Sequence, residues 1–208
     1  MKQIIALFII GVFAMTGFCR VVNAQIVPAL NAEQYQEVKE KVDGQNIKIA
    51  TFAGGCFWCT ESFFIEDEGI LAVQVGYTGG YVDNPSYKEV SGKKTGHAEA
   101  LEVIYDSSLI SYDKLLDLFF ESHNPTQLNR QGPDVGPQYR GAIFYHDDQQ
   151  KALAVQKIAE INDSGKYDDP LVTELNEAQT FYRAEEYHQR YYWDRGIDKE
   201  RLKKWKGK

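Results

Sequence analysis

Cysteine is scarce in this 208-residue chain: Cys19, Cys56 and Cys59 are the only three. Cys19 falls in the opening segment, where Lys2 precedes an apolar run over residues 4–18 and then Val22-Asn23-Ala24. That is the pattern of a secretory signal peptide over residues 1–24, with cleavage expected between Ala24 and Gln25. The run falls short of the ~20 apolar residues that a membrane-spanning helix needs. The bulky Phe18 ahead of Cys19 argues against a lipid-anchored cysteine. After cleavage only Cys56 and Cys59 remain in an oxidising compartment, and a bridge between them closes too small a loop to staple a domain. A structural disulfide framework is excluded, which moves a redox or metal role forward. Excess positive charge is also lacking. The formal charge is −7, and loss of Lys2 and Arg20 with the leader brings the mature chain near −9. That balance argues against general nucleic-acid binding. The lysine-rich tail over residues 199–208 reads as a solvated helical end.

There is no internal repeat, no low-complexity tract and no second domain. Residues 25–45 are polar and mildly helical from 34 to 42, an N-terminal extension expected to wrap onto a single domain over residues 46–208. Alternation predicts a strand over 47–52, and further strands are expected over 70–77, 98–105, 139–146 and 171–175. Helices are expected over 57–66, 112–122 and 148–162, with a last helical segment from Ala184. Two strands follow one another directly, separated by the loop Thr78-Gly79-Gly80-Tyr81-Val82-Asp83-Asn84-Pro85. A purely parallel doubly wound sheet does not fit that order. A two-layer α+β sandwich does, with a mixed sheet covered by helices.

The chemistry concentrates at Gly54-Gly55-Cys56-Phe57-Trp58-Cys59, where the first strand gives way to a helix. A thiol at a helix N-terminus meets unpaired N–H groups and the positive end of the helix dipole, and both favour thiolate. Three readings compete: a thioredoxin-like dithiol, half of a zinc site, or a nucleophile with a resolving thiol. Zinc needs about four ligands, and only scattered histidines and carboxylates could supply the rest. Phe57 and Trp58 between the cysteines suit an apolar pocket for something small, such as a methyl group, better than docking of a broad protein disulfide. On the third strand Glu99 shares a face with Leu101, Val103 and Tyr105. A carboxyl there loses solvation and keeps its proton, as a general acid near neutral pH must. A strand-end carboxylate paired with a cation reads equally well. Glu102, on the other face, is expected to be solvated. Tyr87 and Tyr139 close two loops and could donate hydrogen bonds into a pocket. His97, His123 and His146 are expected to make local hydrogen bonds, and His188 to pack on a helix.

Together these pieces resemble the A-type peptide methionine sulfoxide reductases. The match runs through Gly55-Cys56-Phe57-Trp58, Gly76-Tyr77-Thr78-Gly79-Gly80-Tyr81, Asn84-Pro85-Ser86-Tyr87, Gly96-His97-Ala98-Glu99 and Asp134-Val135-Gly136-Pro137-Gln138-Tyr139-Arg140. Ala184-Glu185 and Tyr187-His188-Gln189 add to it, so the likeness covers roughly residues 47–193. The resemblance implies a ferredoxin-like core. It further implies a Cys56 thiolate that attacks the sulfur of methionine S-sulfoxide, Glu99 as proton donor, and Tyr87 and Tyr139 as donors to the sulfoxide oxygen. Phe57 and Trp58 would hold the S-methyl group, and Asp134 would organise water or thiol nearby. Relatives that resolve the Cys56 sulfenic acid with C-terminal cysteines differ from this chain, which has none there. The resemblance then assigns the resolving thiol to Cys59, with local unwinding around Trp58, or else to an external thiol, and a thioredoxin-like partner would reduce the Cys56–Cys59 disulfide. No metal or organic cofactor is implied. The expected protein is an exported monomer, periplasmic or secreted, without stable membrane insertion once the leader is removed.

Overall fold

The computed structural model describes residues 26–206; the expected signal peptide over residues 1–24, its expected cleavage point and Cys19 lie outside them. In chain order the elements are α1 (Ala32–Lys39), β1 (Ile47–Gly54), α2 (Phe57–Glu61), β2 (Ile70–Thr78), α3 (Tyr87–Ser91), β3 (Ala98–Asp106) and α4 (Tyr112–Ser122). There follow β4 (Arg130–Gln131), β5 (Asp134–Val135), β6 (Gly141–Tyr145), α5 (Asp148–Asp163), β7 (Glu174–Glu177), β8 (Tyr182–Arg183) and α6 (Lys199–Lys206). Six strands form one sheet in the order β7-β6-β1-β3-β2-β8, and β4 and β5 make a separate small hairpin. The four inner strands, β6-β1-β3-β2, run antiparallel to one another, whereas β7 joins β6 in parallel. With α2 and α4 as crossovers this is the split β-α-β, ferredoxin-like core. Among the described residues no helix is long and apolar enough to cross a membrane.

Period-two alternation sends Ala50, Phe52, Val75, Tyr77, Leu101, Val103, Tyr105 and Ile143 to one face of the sheet, where they form the main core with α2 and α4. α4 starts at Ser111, whose side chain accepts the Lys114 N–H, and buries Leu115, Leu116, Leu118, Phe119 and Phe120. On the opposite face, α1 begins with a reciprocal Asn31–Gln34 capping box and lays Tyr35 against Ala72 and Ile104. That cover corrects the expectation for Glu102, which is 2% exposed rather than solvated. It accepts hydrogen bonds from Lys39 Nζ (2.9 Å), Gln74 Nε2 (2.8 Å) and the Tyr35 hydroxyl (3.2 Å).

Other boundaries move for identifiable reasons. The helix expected over 57–66 stops at Glu61, because Phe63, Phe64 and Ile65 all enter the core and a helix with one buried face cannot send three consecutive side chains inward. Tyr139 ends a short 3₁₀ turn begun by Pro137, and the strand starts only at Gly141. The last strand of the expectation shifts to β7, in register with β6 from Ala142↔Glu174 onward. Between Ala184 and Asp198 the chain forms no α-helix. Gln189 uses its side-chain amide as a strand substitute, accepting the Val75 N–H (2.9 Å) and donating to the Val75 carbonyl (3.0 Å). Two 3₁₀ turns, Glu186–His188 and Trp193–Arg195, lead to α6. Ser62 donates to the Ile197 carbonyl (3.3 Å), and Lys199 pairs with Asp67 at 3.2 Å.

Candidate active site

β1 delivers the chain to Gly55, whose φ of +89° suits glycine and where any Cβ would run into the Gln131 side chain. Cys56 follows as the N-cap of α2, and its carbonyl accepts the N–H groups of Cys59 (3.0 Å) and Thr60 (3.2 Å). The two thiols are in hydrogen-bond contact with α2 intact. That contact, burial and the nearby charge of Glu99 push the Cys56 thiol well up. This reverses the expectation of a resting thiolate: a helix of five residues contributes little dipole, and it loses to the Cys59 contact and to desolvation.

Glu99 lies on β3 opposite Tyr77, 2% exposed, with Oε2 accepting the Phe57 N–H at 3.1 Å. Burial pushes its carboxyl up to about 8; the Phe57 N–H opposes this, and Asp134 and Cys59 add to it. The acid is therefore protonated at neutral pH and tied to the residue after Cys56. Tyr87 opens α3 after the Ser86–Glu89 capping box. Its phenol is pushed up by burial first, then by Glu99, with Cys56 and Asp134 contributing. Tyr139 is raised by burial and by the same neighbours, including Tyr87. Both phenols thus stay protonated donors. Asp134, on the small hairpin, is raised by burial. The structure accordingly brings Cys56, Cys59, Glu99, Tyr87, Tyr139 and Asp134 within electrostatic reach of one another.

Phe57 and Trp58 form the aromatic side. The Phe57 ring lies 6.0 Å from both Trp58 and Tyr77 and 5.2 Å from His188. Trp58 stacks on Tyr191 at 4.0 Å and 16°, with Tyr192 at 5.7 Å. Sequence reasoning overlooked Tyr191 and Tyr192, since their segment read as a helix end. It also placed His188 on a helix, whereas the ring is 1% exposed in a 3₁₀ turn, 4.4 Å from Tyr87 and 5.5 Å from Trp58. Burial lowers its pKa, so it packs as a neutral ring. Glu185 was given no role, yet it accepts the Tyr87 N–H (3.0 Å) and the Tyr77 hydroxyl (3.0 Å). His97 makes the local bonds expected of it: Nδ1 accepts the Gly80 N–H (3.1 Å) and Nε2 donates to the Val82 carbonyl (2.7 Å), which fixes the glycine-rich loop.

A contacting pair of thiols, a buried protonated carboxyl and two phenols beside an aromatic wall define a thiol-dependent oxidoreductase for a small polar group carried next to an apolar one. The family model described as peptide methionine sulfoxide reductase matches residues 48–205. A peptide methionine sulfoxide reductase MsrA from Natronomonas pharaonis is 53% identical over 143 residues, 69% of this chain and 80% of that one. Among solved structures, reduced Mxr1 from Saccharomyces cerevisiae superposes with a TM-score of 0.68 at 39% identity, covering 75% of this chain and 90% of that one. Mxr1 in complex with Trx2 matches at a TM-score of 0.50 and 30% identity, covering 73% and 88%. The chain belongs to the peptide methionine sulfoxide reductase family, and its activity is the reduction of methionine sulfoxide.

Proposed function

We propose that the protein reduces the S epimer of methionine sulfoxide, free or within proteins, through Cys56, and that Cys59 resolves the oxidised enzyme. The observation that carries this reading is the protonated Glu99 held against the Cys56 turn by the Phe57 N–H. A sulfoxide oxygen leaves poorly until it is protonated. Glu99 gives it a proton while Tyr87 and Tyr139 donate hydrogen bonds to it, and the Cys56 sulfur bonds to the substrate sulfur. The oxygen ends on Cys56 as sulfenic acid, methionine leaves, and the proton shed by the Cys56 thiol restores Glu99. Cys59 then attacks the Cys56 sulfur, water departs, and a Cys56–Cys59 disulfide forms. The contact between the thiols supports this second step.

A dithiol partner of the thioredoxin class reduces that disulfide; the Mxr1–Trx2 complex is a precedent in a relative. Electrons come through thiols alone, without metal or organic cofactor. Phe57 and Trp58 receive the S-methyl group, and Asp134 organises water or thiol at the mouth. The signal-peptide pattern supports export, to the periplasm or beyond, and the protein acts as a monomer. The test is to incubate the reduced mature protein with each sulfoxide epimer and dithiothreitol and to measure methionine. Turnover of the S epimer alone, absent in Cys56→Ser, is the expected result; equal turnover of both epimers would remove the stereochemical assignment.

A further inference from the structure

Two buried carboxyls, Glu102 and Glu61, take no part in the chemistry above, and Glu61 lies on the helix that carries the cysteines. Glu61, the last residue of α2, is 1% exposed. Its Oε1 accepts the Arg190 N–H at 2.9 Å, while Oε2 is buried without a partner among the described residues. Burial pushes the group up to about 8, against the Arg190 N–H and guanidinium, so it is neutral at neutral pH. Arg190 itself has a φ of +53°, a left-handed conformation that side chains other than glycine rarely adopt. The rest of Arg190 is also tied down: Nη1 donates to the Val27 carbonyl at 2.6 Å, and Nε donates to Asp194 at 3.4 Å. The next residue is Tyr191, stacked on Trp58, and then comes Tyr192. α2 therefore grips one short segment twice, with Glu61 on Arg190 and Trp58 on Tyr191. The two grips lie three residues apart, on one side of the helix.

We propose that Glu61 is a positioning residue for the reduction: by holding Arg190 in its left-handed turn, it sets Tyr191 and Tyr192 against Trp58 and fixes the aromatic wall that receives the substrate's methyl group. An apolar residue at position 61 would leave the Arg190 N–H without its acceptor, and the turn would relax toward ordinary backbone. The proposal rests on the reading of Phe57 and Trp58 as the methyl pocket. A wall binds ground state and transition state alike, so its loss raises KM rather than lowering kcat.

Glu61→Gln keeps an acceptor of the same shape, and KM and kcat for methionine S-sulfoxide should stay within about twofold of the parent. Glu61→Met removes the acceptor at similar volume. It should raise KM about fivefold or more with kcat within about twofold, and weaken the near-ultraviolet circular dichroism of the stacked rings. A folded Glu61→Met protein with parental KM and parental dichroism overturns the proposal. Should that variant fail to fold, Arg190→Gly decides: glycine accepts the left-handed turn and keeps the N–H, so KM should stay near parental. A fivefold rise there would mean that the guanidinium contacts, not Glu61, hold the segment. Parent turnover measured in parallel keeps the two readings apart. A parent that does not turn over contradicts the methyl-pocket reading, while the dichroism comparison still decides what Glu61 does.

Discussion

Replacing Glu99 with glutamine should make the protein more stable and nearly inactive. In the fold the carboxyl is shifted from 4.5 to about 8, chiefly by burial. Below pH 4.5 folded and unfolded chains both hold the proton, and the group costs nothing. As pH rises the unfolded chain releases its proton first, so folded stability falls until the buried acid also ionises near 8. At pH 7 this penalty is about 3 kcal/mol. Glutamine never pays it, and its oxygen can still accept the Phe57 N–H. The amide brings N–H donors that need partners, which trims the net gain to about 1–2 kcal/mol. For a domain of this size that raises Tm by roughly 3–6 °C. The general acid is lost at the same time, and turnover should fall by about 10²–10⁴. Urea denaturation of both proteins at pH 7 and pH 4.5 reads the effect: the advantage of the variant should be present at pH 7 and gone at 4.5. A Glu99→Gln protein less stable than the parent at pH 7, or one with equal gains at both pH values, would refute the reasoning.

The same proton gives kcat/KM an alkaline limb. Activity should fall as pH rises through about 8 and Glu99 ionises, while alkylation of Cys56 by iodoacetamide keeps rising, because its thiol ionises higher still; parallel rises in both would contradict this. Cys59→Ser should release methionine once per enzyme but not cycle with a thioredoxin system, and full cycling would move resolution elsewhere. Lys39→Met removes the cation paired with the buried Glu102, so urea denaturation should show a loss of about 3 kcal/mol. A loss under about 0.5 kcal/mol would mean that α1 lies on the sheet without bracing it.

Periodicity made β1, β3 and α4 legible, because each buries a face against the core and the pattern records that burial. Period two also put Glu99 on the core face. What it could not tell was whether the other face was covered: α1 reaches Glu102 from more than sixty residues away in sequence, through Lys39 and Tyr35. α3 was missed inside a glycine- and proline-bearing stretch, although Ser86 with Glu89 is the capping-box signal for its start. The segment after Ala184 misled for a different reason. Its spacing suits a helix, but the Gln189 amide accepts the Val75 N–H and donates to the Val75 carbonyl at the edge of β2, and Glu61 accepts the Arg190 N–H. Those long-range bonds set its path and bring His188, Tyr191 and Tyr192 to the site. The cysteine pair, Glu99 and the two phenols could be named from the sequence. The resting state of Cys56 could not, because the short length of α2 and the depth of burial are tertiary facts.

The most direct test of the account is to treat reduced Cys59→Ser protein with one equivalent of methionine S-sulfoxide, then quantify methionine and locate the oxygen by mass spectrometry. One methionine per enzyme and one oxygen on Cys56 are expected. Methionine released with Cys56 unmodified, or no methionine from the folded protein, would contradict it.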